Sequence, residues 1–143
     1  MQWRDLILPE DCFDQEQVLN DWHFLLQRRD LDIMLVTSFG DIFFQDHDDA
    51  VYLLDATEGT FDKVLKHATD FEESLKNLDL VKEWFMPDIV KSLIELIPLR
   101  GAKSCFSMKV LPPDDGQYEV SNYQIALFSE HSRRCATYFS TKR

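Results

Sequence analysis

Residues 33–55, IMLVTSFGDIFFQDHDDAVYLLD, decide the fold class. They are rich in β-branched and aromatic residues and are cut by Gly40 and by the polar run Asp46-His47-Asp48-Asp49, the pattern of strands separated by tight turns. It predicts three strands in a meander, about 33–38, 41–45 and 50–55, and a fourth over Thr60–Val64 after a turn at Glu58-Gly59. Phe44 and Phe61 fall where core or sheet-face residues belong, and the sheet is expected to bury one face against helices.

Upstream of the meander, Asp14 is a good N-cap with Gln17 three residues on, and Val18, Leu19, Trp22, Leu25 and Leu26 follow at helical spacing. An amphipathic helix is expected to run to Arg28-Arg29, cations suited to a helix C-terminus. Downstream, Thr69-Asp70-Phe71-Glu72 reads as a capping box before Phe71, Leu75 and Leu78. Asp88–Leu96 puts Ile89, Leu93 and Leu96 on one stripe of a third helix, which Pro98 and Gly101 are expected to stop. The C-terminal part reads as strands: Cys105–Leu111, a turn over Pro112–Gly116, and short segments about Glu119–Phe128 and Ala136–Ser140. No repeat, linker or low-complexity run divides the chain, so residues 1–143 are expected to form a single α+β domain, a predominantly antiparallel sheet packed against about three helices.

The composition fits a packed globule: 45% hydrophobic and 13% aromatic, with only 4 Gly and 5 Pro in 143 residues. The three cysteines, Cys12, Cys105 and Cys135, are odd in number and far apart, which suits buried free thiols in a reducing compartment. The N-terminus MQWRDLILPEDC lacks the basic start and apolar core of a signal peptide, and no long apolar run suggests a membrane span. A cytoplasmic location is expected.

Formal charge is −11, unevenly spread. Residues 1–62 hold fifteen acids against three bases, net −12, whereas the remainder is close to neutral. Such a surface repels phosphate backbones and anionic lipid and speeds encounter with a basic partner, so neither nucleic acid nor membrane is an expected partner. The same acidity also serves plain solubility.

Local motifs that carry chemistry are few. Counting Asp46 as the first position of a calcium loop puts Val51 where Gly is needed and Thr57 where the bidentate Glu is needed. An Asp-rich turn is the simpler reading of Asp46, Asp48 and Asp49. His23, His47, His67 and His131 share no metal-type spacing, and no cysteine or serine carries a local nucleophile signature. Gly40, Gly59, Gly101 and Gly116 are isolated, so no phosphate-cradling loop is present and no cofactor is expected. Asp41 with Asp55 could do general acid–base work, though turn capping and surface charge are competing roles. Of the tryptophans, Trp22 sits on an apolar stripe, while Trp84 in Trp84-Phe85-Met86 reads either as core or as an interface anchor.

At Ser38-Phe39-Gly40-Asp41-Ile42-Phe43, Val51-Tyr52-Leu53-Leu54-Asp55 and Glu58-Gly59 the chain resembles the C-terminal domain of immunity proteins that neutralise type VI secretion DNase toxins. Trp22, Phe39-Gly40-Asp41, Leu54-Asp55, Gly59, Pro112-Pro113, Tyr118 and Asn122 keep that family's order over about residues 20–130. The chain departs at Asp114-Asp115-Gly116, where the family often has Leu-Gly-Gly, and at Cys135-Ala136, where it has Gly-Gln. The resemblance implies a non-enzymatic cytoplasmic protein that occludes a toxin. Asp41, Asp46, Asp48, Asp49, Asp55 and Glu58 would then belong to an acidic face meeting a basic partner, with Trp84 as a further contact. The alternatives are a regulatory or scaffold module that binds a protein or small ligand through an aromatic and apolar surface around Trp84, and a small hydrolase using paired carboxylates in a cleft.

Overall fold

The structure is a computed structural model that describes residues 1–97 and 100–142. Its centre is a four-stranded antiparallel meander in chain order: β1 (Leu31–Val36), β2 (Ile42–Asp46), β3 (Val51–Asp55) and β4 (Thr60–Leu65). The register pairs Ile42 with Leu54, Phe43 with Leu53 and Phe44 with Tyr52, and a bulge at Met34 interrupts the β1–β2 ladder. Ile42, Phe43 and Phe44 are all fully buried. Successive strand side chains point to opposite faces, so β2 is covered on both sides and not on one as its composition suggested.

Two groups of helices supply the cover. Before the sheet come α1 (Gln15–Asp21), capped by the Asp14 carboxylate accepting the Gln17 N–H, and the single turn α2 (His23–Leu26). The expected continuous helix is broken at Trp22, whose backbone leaves the helical region, and it closes at Gln27 in a left-handed conformation. After the sheet come α3 (Phe71–Ser74), α4 (Leu78–Phe85) and α5 (Pro87–Leu96). The Thr69 capping box is not formed; the turn before Phe71 is a short 3-10 segment, and the effective cap is Asn77, which accepts the Asp79 and Leu80 N–H groups and starts α4. Met86 then adopts φ +44 and Pro87 opens α5, because a proline ring cannot continue the preceding helix but fits the first turn of the next. Pro98, expected to stop α5, lies outside the described residues. Phe43 meets Phe71, Trp84 and Phe85 on this side, with ring centroids 5.2 to 5.9 Å apart.

The chain ends with a second, two-stranded antiparallel sheet, β5 (Ser104–Met108) and β6 (Tyr123–Leu127), and with α6 (Phe128–Thr141). The strand expected at Ala136–Ser140 is therefore a helix, and the described residues hold six α-helices where about three were expected. The fourteen-residue α6 buries Phe128, His131, Ser132, Cys135 and Ala136, a helical stripe disguised in sequence by its two polar members. Trp22 Nε1 donates to Ser132 Oγ at 3.0 Å, joining the two ends of the chain inside the core. The β5 hairpin is tied to the meander through the β1–β2 turn, where Phe106 N–H donates to the Ser38 carbonyl at 2.8 Å. The α+β class with a mainly antiparallel sheet holds, and among the described residues no helix is long and apolar enough to cross a membrane.

Candidate functional site

The six carboxylates expected on one acidic face are divided between the two ends of the meander. The β2–β3 turn carries Asp46, Asp48 and Asp49, whereas Asp41, Asp55 and Glu58 lie at the β1–β2 and β3–β4 turns. The five-residue β3 separates the ends by roughly 14 Å at ~3.4 Å per residue.

At the first end Asp46 is buried and organises its own turn. Its Oδ1 accepts the Asp48 and Ala50 N–H groups, each at 2.9 Å, and Oδ2 pairs with Arg28 at 3.2 Å. These bonds hold its carboxyl below the usual range against the opposing effect of desolvation. Arg28 also pairs with Asp30, donates to the Tyr52 hydroxyl and lies over the Tyr52 ring. Of the three aspartates only Asp48 is exposed; Asp49 is half-buried at φ +69 and accepts from the Gln45 amide.

The other end is a cleft of about 340 Å³ between the β1–β2 turn, the β3–β4 turn, α4 and the β5–β6 hairpin. Asp41 and Asp55 reach it from neighbouring strands, with Phe39, Phe106, Tyr118 and Tyr123 around them and Lys82 and Glu83 on its α4 side. Asp41 is 8% exposed, and its Oδ1 accepts the Ala56 N–H at 3.0 Å. Burial first, and then the charges of Asp55 and Glu58, push its carboxyl well above the ordinary range. Asp55 is raised mainly by burial, although it caps the turn by accepting from Thr57 Oγ1 and Glu58 N–H, both at 3.1 Å. Among the described residues no lysine or arginine forms an ion pair with Asp41, Asp55 or Glu58. The Tyr118 hydroxyl donates to Glu58, and burial together with this bond raises the phenol. Tyr123 is 5% exposed, and its hydroxyl has no partner among the described residues.

The two turns are pinned from behind by α6. Gly40 has φ +81, and a Cβ there would lie 2.5 Å from the His131 ring; Gly59 has φ +71, and its Cβ would lie 2.5 Å from the Phe139 ring. Both positions therefore need glycine for conformation and for space. His131 is buried with Nδ1 2.7 Å from Ser107 Oγ, and burial, helped by the Arg134 charge, pushes its ring down to about 4.

No protein-family model matches the chain, and no curated protein is significantly similar to it. The cleft is thus read from its own chemistry. It joins Asp41 and Asp55, which the sequence had singled out as an acid pair, with Tyr123 and Met86, which it had not. Those come from elements distant in the chain, and nothing local in the sequence marks them. Trp84 is buried against Phe43 and Phe71, in line with the core side of the two readings that the sequence left open for it. Among the described residues no group of three or more His, Cys, Asp or Glu could hold a metal ion.

Proposed function

We propose that the protein is a non-enzymatic binding domain of the immunity type, which docks in the cytoplasm onto a basic protein toxin through the cleft end of its meander. The observation that carries this reading is the pair Asp41 and Asp55 lining one concave site with Glu83, with Glu58 next to it through Tyr118 and no ion pair to Asp41, Asp55 or Glu58 among the described residues. A desolvated anionic site without a cation gains most from a partner that brings one. Asp48, at the far end, adds only to the long-range field that speeds encounter. The ordered resemblance to immunity domains supports a toxin as that partner.

The test is binding to the product of a toxin gene adjoining this one, followed as added salt shortens the Debye length from about 30 to about 3 Å. Affinity is expected to fall steeply, and Glu58→Lys to slow association, with Asp48→Lys a milder effect. A complex indifferent to salt and to Glu58→Lys would refute docking through this end. A second reading, acid–base hydrolysis by Asp41 and Asp55, is favoured by the upward displacement of both carboxyls in a cleft. It requires turnover that disappears in Asp41→Asn.

A further inference from the structure

We propose that the cleft is a receptor for one cationic side chain of the partner, an arginine or a lysine, whose charged end meets Asp41 and Asp55 while its methylene stem lies along Phe39, Met86 and Met108. The inference rests on the reading of the protein as a receptor for a basic partner and adds the point of entry. A volume of about 340 Å³ is at the small end for ligand pockets, the scale of a side chain and not of a large cofactor.

Three features of the cleft select this occupant. The first is charge: Asp41, Asp55 and Glu83 line the space, Glu58 stands next to it through its bond from Tyr118, and among the described residues lining it the exposed Lys82 is the one cation. The second is an unmet hydrogen bond. The Tyr123 hydroxyl is buried without a partner among the described residues, and leaving such a group unmade costs about 1–3 kcal/mol. A guanidinium or ammonium has N–H donors for that oxygen and for the Asp41 oxygen not engaged by Ala56. The third is the wall: the rings of Phe39 and Tyr123 line the cleft beside Phe106, whose ring already holds the Arg100 guanidinium 5.2 Å from its centroid, and aromatic walls of this kind attract organic cations while the methionines suit an aliphatic stem. The raised carboxyls follow from the same geometry, since each is desolvated without a counter-charge, and an entering cation would restore both to the ionised form.

Binding should therefore strengthen as pH rises through the titration of Asp41 and Asp55. The other groups facing them are Glu58 and Tyr118, Tyr123 on β6, Lys82 and Glu83 on α4, and the Cys105 and Cys135 thiols behind; the thiols and phenols are all displaced upward and stay neutral in this range.

The experiment titrates the full chain with N-acetyl-arginine amide, N-acetyl-lysine amide and the neutral isostere N-acetyl-citrulline amide, reading the Ala56 amide and the Tyr123 ring by NMR. The expected result is saturable shifts at both reporters with the two cationic probes, tighter at higher pH, weakened about tenfold by Asp41→Asn or Asp55→Asn, and strengthened by Lys82→Gln. Asp41→Asn keeps the acceptor for the Ala56 N–H, and an unchanged amide spectrum elsewhere shows that the variant is folded. Equal binding of citrulline and arginine probes, no saturable shift, or no loss in Asp41→Asn would overturn the inference even where a toxin complex forms. Probe binding with these dependences upholds it even where the adjoining toxin fails to bind.

Discussion

Asp41 illustrates how one carboxyl can weaken a fold that it helps to shape. Its folded-state titration lies above that of the unfolded chain, because burial and the charges of Asp55 and Glu58 disfavour the anion. The folded protein thus binds the proton more tightly, and stability declines as pH rises from the unfolded carboxylate value through the folded one. Asp41→Asn removes the ionisable group and keeps the oxygen that accepts from Ala56. It is expected to raise stability at neutral pH by about 0.5–2 kcal/mol, a gain that vanishes in acid, as measured by urea unfolding at several pH values. His131 acts in the opposite sense. Its ring titrates near 4 when folded against a higher ordinary value, so its share of stability is complete above the ordinary value and is lost as pH falls toward 4. At the far turn Asp46 and Asp48 separate two roles that the sequence presented as one acidic run. Asp46→Ala leaves the Asp48 and Ala50 N–H groups without their acceptor and takes one of Arg28's two carboxylate partners, and is expected to cost about 1–3 kcal/mol, whereas Asp48→Ala should stay within about 0.5 kcal/mol of the parent.

At the scale of elements, the meander was the most readable part of the chain and α6 the least. Strand alternation and turn residues are local signals, and Gly40, the Asp46–Asp49 turn and Gly59 lie where the chain reverses. The inward stripe of α6 includes His131 and Ser132, whose partners Ser107 and Trp22 are far away in sequence, so a hydrophobicity pattern cannot recognise them as core. The same limit hid half of the cleft: Asp41 and Asp55 were visible as neighbours in a meander, but Tyr123 and Met86 join them only when the β5–β6 hairpin and α4 dock. The Trp22–Ser132 bond ties α6 to the junction of α1 and α2. Ser132→Ala leaves the buried indole N–H unpaired and is expected to destabilise by about 1–3 kcal/mol, with Trp22→Phe in the same background adding less than it does alone. Additive losses in this double-mutant cycle, followed by denaturant unfolding, would mean that the bond does not couple the α1–α2 junction to α6.

For the whole molecule the question is whether its charge is compensated internally. Fifteen acids stand in residues 1–62, and among the described residues the ion pairs that reach them use only Arg28, Arg29 and Arg133. Arg134 of α6 donates to the Met108 and Lys109 carbonyls. A net charge of −11 therefore acts mostly as self-repulsion, which opposes the compact state. Exposed pairs of opposite sign contribute little to stability, so screening them costs little, while screening the repulsion stabilises. Potassium chloride is accordingly expected to raise the melting temperature at neutral pH, by about 2–8 °C for each kcal/mol of repulsion removed. Partner binding should weaken under the same addition, because attraction across the interface is screened together with repulsion within the chain. Opposite responses to one variable, read by calorimetry on the free protein and on the complex, distinguish a surface whose carboxylates await a cation from one already balanced by its own arginines; a melting temperature that falls with salt would identify the latter.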